Sequence, residues 1–322
     1  MTLPDGRSIN LRCSGRGSPT VLLESGWGGG SGGWYKVQPR LARITRVCAY
    51  DRAGYGFSDP GLLPRDGAAI ARDLDQALTA ARVRGPFILV GHSAGGLYVR
   101  LFAARRPQEV QGLILLDPTV ERRSPQPSGD GLDGIRRRLR RCLHVLEIAP
   151  QTPEANADWA GCVSPKADPH SAQALRRPET WRQQLSELDE IFGRTSDQVF
   201  RLGDLLRSIP LYVVTASETA AATPSLRLGA PPSVVEYLHQ RIAAQSVVGS
   251  QTTVLSSHMV MIDRPDVVID AVDQTLRAVR HDQPPPPLPR SEAAQPESNL
   301  FTAPEAELDP FSGASILDPA PY

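Results

Sequence analysis

The 322-residue chain contains only two lysines, Lys36 and Lys166, among its 35 basic residues, a bias that fits codon usage better than chemistry. It also lacks net charge: 35 basic residues meet 35 acidic ones and the isoelectric point is near 7.0. No global field therefore draws it to nucleic acid or to an anionic membrane. No run approaches the roughly 20 apolar residues that span a bilayer, and the N-terminus lacks the charged-then-apolar pattern of an export signal. The expectation is a cytoplasmic chain, or an exported one should a signal lie upstream of Met1. Cysteine is scarce, and Cys13, Cys48, Cys142 and Cys162 match no zinc or redox spacing. In a cytoplasmic chain they read as buried free thiols; in an exported one, pairing is favoured, with Cys142 and Cys162 as candidates. The six histidines are scattered and suggest no metal site.

What is present is organised around residues 87–106. Phe87 to Val90 is an apolar run that reads as a buried strand, and a helical pattern follows from Ala94 until Pro107 stops it. Between them lies Gly91-His92-Ser93-Ala94-Gly95. Five short residues can simply make a tight turn. A Gly-x-Ser-x-Gly with a strand before it and a helix after it, here with Gly96 easing the helix onto the sheet, reads instead as a nucleophile elbow. Ser93 is then the candidate nucleophile.

Taken in order, the chain begins with a hairpin signal at Asp5-Gly6 and a strand over Ser8 to Cys13. The strand Thr20 to Leu23 runs into the glycine-dense loop Gly26-Trp27-Gly28-Gly29-Gly30. A serine nucleophile needs two donors for a developing oxyanion, and the backbone N–H groups of Trp27 and Ala94 are the candidates. No phosphate cradle is present, since the loop lacks a Gly-Lys-Ser/Thr ending. A strand to Tyr50 then meets Asp51 and Arg52, which read as ties for the following loop. A helix is expected over Asp66 to Ala81, with Ile70, Leu74, Ala77 and Leu78 on one face. Gly112 to Leu116 is another apolar strand and ends at Asp117.

Strands that are apolar throughout and alternate with helices argue for a parallel sheet covered on both faces. The rhythm stops over residues 119–207, where helices at Leu132 to Leu146 and Glu179 to Phe192 predict an inserted helical cap. The arginine run Arg136 to Arg141 is read as that cap's solvated face. Strands resume at Leu211 to Thr215 and Thr252 to Leu255, and Ser257-His258 precedes a final helix over Pro265 to Val279. Ser93 before an acid before His258 is the chain order that would make His258 the general base. Residues 282–322 turn proline-rich and acidic and lose apolar periodicity, which predicts a disordered tail with no identifiable partner.

The segments Val21 to Gly29, Tyr50 to Asp59, Gly91 to Gly96, Leu113 to Pro118 and Ser257-His258 together resemble the α/β-hydrolase superfamily, in particular its bacterial esterase-like serine hydrolases. The resemblance covers roughly Ile9 to Val279 and departs from the family at two places. Ser25-Gly26 stands where many relatives have His-Gly, and no Asp follows Leu211 to Thr215, where many relatives place the triad acid. The acid is then Asp117 or Glu218, with Asp117 favoured because a strand end holds a carboxylate more rigidly than an alanine-rich loop.

The resemblance implies an α/β-hydrolase fold: a mostly parallel central sheet, helices on both faces, a helical cap after the sixth strand, and the disordered tail. Residues 1–118 and 208–281 would form the core, 119–207 the cap and 282–322 the tail. It further implies acyl transfer from a small-molecule ester to water without a cofactor. Amidase, aminopeptidase and carbon-carbon hydrolase activities, or ligand binding without turnover, remain open because fold does not fix the leaving group. Aromatic residues at 6% and the lack of an apolar surface run give no reason to expect an interfacial lipase.

Overall fold

Continuous apolar runs become strands buried on both faces. In the computed structural model, which describes residues 1–121, 130–163, 169–223 and 233–280, the strands are β1 (Leu11–Ser14), β2 (Thr20–Glu24), β3 (Val47–Tyr50), β4 (Phe87–His92), β5 (Val110–Leu116), β6 (Leu211–Ala216) and β7 (Gly249–Val254). Every residue of β2, β3, β4 and β6 is buried. Alternate side chains supply two cores. Leu22, Leu89, Leu113 and Val213 point to one side, and Val21, Ile88, Ile114 and Val214 to the other. Each such side chain contributes about 1.5–3 kcal/mol by leaving water.

Helix α1 (Gly67–Ala80) packs Ile70, Leu74, Ala77 and Leu78 into the first core, together with α2 (Gly95–Arg105). Its start is set by Asp66, whose side chain accepts a hydrogen bond from the Ala69 N–H at 2.9 Å. The segment between β5 and β6 contributes α3 (Asp130–Ile148) and α4 (Pro178–Glu190) to the same side. On α3, Leu139, Cys142, Val145 and Leu146 are buried while Arg137, Arg140 and Arg141 are exposed, as expected of a solvated arginine face. Helix α5 (Val234–Ala243) adds Ile242 to the first core, and α6 (Pro265–Arg280) fills the second with Val268, Val272 and Leu276.

The strand order is β1-β3-β2-β4-β5-β6-β7, with β1 antiparallel to β3 and the other pairs parallel. After β2 the chain goes outward to β3, then crosses back to place β4 on the other side of β2. The order reverses there, so the loops leaving β2 and β4 lie next to each other, the position at which open α/β sheets bind their ligands. Register brings Glu24 opposite Gly91 at that edge.

Two expectations are corrected by these elements. The N-terminal hairpin reduces to a single bridge between Thr2 and Ser8, so five strands rather than six precede the long helical segment. The cysteines are not free: Cys13 is bonded to Cys48 and Cys142 to Cys162. The antiparallel register of β1 and β3 sets Cys13 against Cys48, a pairing that depends on tertiary placement and leaves no mark in local sequence. The proline-rich tail, residues 282–322, lies outside the described residues.

Candidate functional site

Ser93 follows directly on β4 and has a φ of +52°, a left-handed conformation that costs a non-glycine residue about 1–2 kcal/mol. Its surroundings hold it there. The Ser93 N–H donates to the Leu116 carbonyl at 3.0 Å, and its own carbonyl accepts from the Gly96 and Thr119 N–H groups, each at 3.0 Å. The two glycines of the motif are needed for close approach. A Cβ at Gly91 would lie 2.7 Å from the Gly95 carbonyl oxygen, and one at Gly95 would lie 2.6 Å from that of Glu24.

Asp117 occupies the end of β5, also at positive φ (+42°), with its N–H on the Val214 carbonyl at 2.6 Å. Its Oδ1 accepts from the Ala216 N–H at 3.1 Å. Its Oδ2 accepts from the Thr219 hydroxyl at 2.5 Å and from His258 Nδ1 at 2.6 Å. Burial opposes ionisation of this carboxyl, but the His258 hydrogen bond and charge, His239 nearby and the Thr219 hydroxyl outweigh it. The Asp117 pKa therefore lies below the ordinary carboxylate value. Glu218 is exposed on a short helix, Ser217–Ala221, and His258 bonds to Asp117 instead.

His258 lies between β7 and α6, and its carbonyl oxygen is 2.9 Å from Nε2 of His92, the residue before Ser93. Because a carbonyl only accepts, His92 carries its proton on Nε2. The two rings sit 4.7 Å apart. Burial, helped by the neighbouring His258 charge, pushes the His92 pKa down from 6.5 to about 3. The folded state thus binds fewer protons than the unfolded chain between these values. His92 contributes its stability in full above pH 6.5 and loses it as pH falls toward 3. In a His92→Gln variant the stability deficit relative to wild type should shrink by about 3 kcal/mol between pH 7 and pH 4. Urea unfolding at a series of pH values measures it, and a deficit independent of pH would show that His92 is not held neutral.

The loop after β2 passes against the serine, since a Cβ on Gly26 would lie 2.9 Å from the Ser93 Cβ. Trp27 is buried, and its indole N–H donates to the Gln184 carbonyl of α4 at 2.9 Å. Among the described residues neither the Trp27 nor the Ala94 backbone N–H donates to a protein acceptor. Asp51 ties the loops together as expected, accepting from the Ser31 N–H at 2.7 Å and from Asn10 Nδ2 at 2.8 Å.

Arg52 does more than the sequence reading assigned to it. Its guanidinium is buried and bonds Glu24 of β2, Glu187 of α4 and the carbonyl oxygens of Ser25 and Gly26. Burial pushes the Glu24 carboxyl up to about 7, against the opposing pull of Arg52 and of the Tyr50 hydroxyl, which donates to it. Glu24, Glu187, His92 and Thr219 were not singled out as site residues by the sequence. Arg52 stood beside a strand end and could be suspected; Glu187 lies 135 positions away on an inserted helix and could not.

Residues 19–140 match the family model described as the alpha/beta hydrolase fold, a stretch that contains Trp27, Ser93 and Asp117 but ends before His258. The structure is similar to a thermophilic esterase from Thermogutta terrifontis, with a TM-score of 0.62 at 19% identity, covering 87% of this chain and 97% of that one. In sequence, it is 36% identical over 143 residues to a protein named carbamate hydrolase RutD from Azorhizobium caulinodans, covering 44% of this chain and 48% of the relative. It is also 36% identical over 128 residues to a vacuolar membrane protein of Saccharomyces cerevisiae, covering 36% of this chain and 20% of the relative. The chain thus spans less than half the length of either curated relative.

The last similarity overturns the expectation of a cytoplasmic chain, and the two disulfides agree with the correction, because cytoplasmic thiols are kept reduced. Among the described residues no helix is long and apolar enough to cross a membrane.

Proposed function

The chain is an α/β hydrolase by fold, and on that premise we propose that it is a serine hydrolase cleaving small carboxylic esters through an acyl-serine intermediate. The observation that carries this reading is the 2.6 Å contact between His258 Nδ1 and a buried, ionised Asp117, with His258 held through its carbonyl to the residue preceding Ser93. With Nδ1–H directed at Asp117, the neutral imidazole has its lone pair on Nε2, the tautomer that accepts a proton from a serine hydroxyl.

Ser93 Oγ attacks the ester carbonyl carbon while its proton passes to His258 Nε2. The carbonyl oxygen takes up negative charge facing the Trp27 and Ala94 N–H groups. The tetrahedral species collapses, the alkoxide leaves with the proton from His258, and the acyl group stays on Ser93. Water, giving its proton to His258, attacks the acyl-serine, and the carboxylic acid departs as Ser93 regains its proton. Asp117 remains a carboxylate throughout and stabilises the imidazolium. In this reading the described helices between β5 and β6, α3 and α4, form a cap that selects the acyl substrate.

A second reading, carbamate cleavage by the same residues, rests on the similarity to RutD. Steady-state turnover of p-nitrophenyl esters of short to long chain beside a p-nitrophenyl carbamate separates the two. A fluorophosphonate probe should label the peptide containing Ser93. Turnover of esters with that label supports the proposal. Faster carbamate turnover favours the second reading. Stabilisation by an acyl ligand with neither label nor turnover would make the protein a binding protein instead.

A further inference from the structure

Arg52 is buried, and its surroundings use most of its hydrogen-bonding capacity. Nε lies 3.2 Å from Glu187 Oε2, Nη1 is 2.7 Å from both Glu24 Oε1 and the Ser25 carbonyl oxygen, and Nη2 is 2.7 Å from the Gly26 carbonyl oxygen and 2.9 Å from Glu187 Oε1. Four of the five N–H groups of a guanidinium thus donate hydrogen bonds, and Nη2 is in addition ion-paired with Glu187 Oε1. The rings of Tyr55 and Tyr98 lie 4.8 and 5.3 Å from its central carbon and fix its plane.

In a trans peptide the carbonyl and the following N–H point in opposite directions. A Gly26 carbonyl anchored on Arg52 therefore turns the Trp27 N–H away from Arg52. The same loop touches Ser93 at the Gly26 Cα, where a Cβ would lie 2.9 Å from the Ser93 Cβ. Were the Gly26-Trp27 peptide to turn over, its carbonyl oxygen would take the place of the Trp27 N–H and repel an oxyanion developing there. Helix α4 holds the same loop twice, through Glu187 to Arg52 and through the Gln184 carbonyl to the Trp27 indole.

We infer that Arg52 is a positioning residue for acyl transfer: it sets the Gly26-Trp27 peptide so that the Trp27 N–H serves the oxyanion, and through Glu187 makes that setting depend on α4 being seated. This rests on the serine-hydrolase reading above and adds to it a link between the inserted helices and the reacting centre. A lysine keeps the positive charge paired with Glu24 and Glu187 but cannot span two carbonyls and two carboxyls in one plane.

The test uses the full chain as wild type, Arg52→Lys and Glu187→Gln. Each is measured for ester turnover and for affinity toward two inhibitors of the same shape. One is a trifluoromethyl ketone, which forms an oxyanion on Ser93; the other is the corresponding methyl ketone, which stays a ground-state ligand. Arg52→Lys should lose about 10²-fold in kcat and a similar factor in trifluoromethyl ketone affinity, with KM and methyl ketone affinity changed less than about twofold. Glu187→Gln, which leaves Arg52 in place, should show the same selective pattern at about tenfold.

Equal losses for both ketones, or wild-type trifluoromethyl ketone affinity, would make Arg52 a purely structural ion-pair partner. Should Arg52→Lys fail to fold, Glu187→Gln decides alone: selective loss supports the inference, and its absence overturns it. A wild type that neither turns over esters nor binds the trifluoromethyl ketone removes the serine-hydrolase reading and this inference together. A wild type that does both, beside variants without selective loss, removes the inference alone.

Discussion

Replacing Ser93 with alanine should lower kcat/KM for the best ester by about 10⁵- to 10⁶-fold, leaving a small residual rate from substrate binding and the backbone donors. The fold should be indifferent to the change. The left-handed backbone at φ +52° is set by hydrogen bonds to Leu116, Gly96 and Thr119 that involve no side-chain atom. Alanine occupies it with the same strain as serine, so the melting temperature and circular dichroism should match wild type. What disappears is the attacking oxygen, and with it every step that follows. The measurement is steady-state turnover on freshly purified variant, with fluorophosphonate labelling as a second readout. Retention of more than about one per cent of the wild-type rate would place the nucleophile elsewhere and leave the elbow as a strained but idle turn.

Ser93 could be singled out as the candidate nucleophile because everything that marks it is local. An apolar strand, two glycines and a helical pattern lie within about twenty residues, and each constrains the next. The parallel sheet was legible for a similar reason: β2, β4 and β6 are buried on both sides, and their apolar runs report it directly. What escaped depends on contacts between distant segments. Cys13 meets Cys48 only because β1 runs antiparallel to β3, and a thiol next to a strand partner looks no different in sequence from one in a core. Arg52 reaches Glu187 across 135 positions, and no periodicity on α4 distinguishes that glutamate from its surface neighbours. Between Asp117 and Glu218 the local sequence favoured Asp117, at a strand end rather than in an alanine-rich loop, and the hydrogen bonds from Ala216, Thr219 and His258 that converge on Asp117 come from distant segments.

The same placement gives Asp117→Asn an effect of about 10⁴-fold on kcat, while Glu218→Gln should stay within about twofold of wild type. Asp117 accepts three hydrogen bonds, from Ala216, Thr219 and His258. An asparagine has one oxygen and one NH₂ for the same three donors. With its oxygen toward Thr219 and His258, the NH₂ faces the Ala216 N–H. Turned over, the NH₂ faces His258 Nδ1, which must then give up its proton and accept. The imidazole proton moves to Nε2, the nitrogen that has to take the proton of Ser93, and the base is lost without any change in side-chain volume. The first orientation sets the NH₂ against the Ala216 N–H, donor against donor in a buried site, so some stability is lost as well. The decisive comparison is kcat/KM and melting temperature for both variants against wild type. A large fall in kcat for Asp117→Asn with a folded, fluorophosphonate-poor protein identifies the acid. Equal rates for Asp117→Asn and wild type would reduce the 2.6 Å contact to a structural tether of the His258 loop.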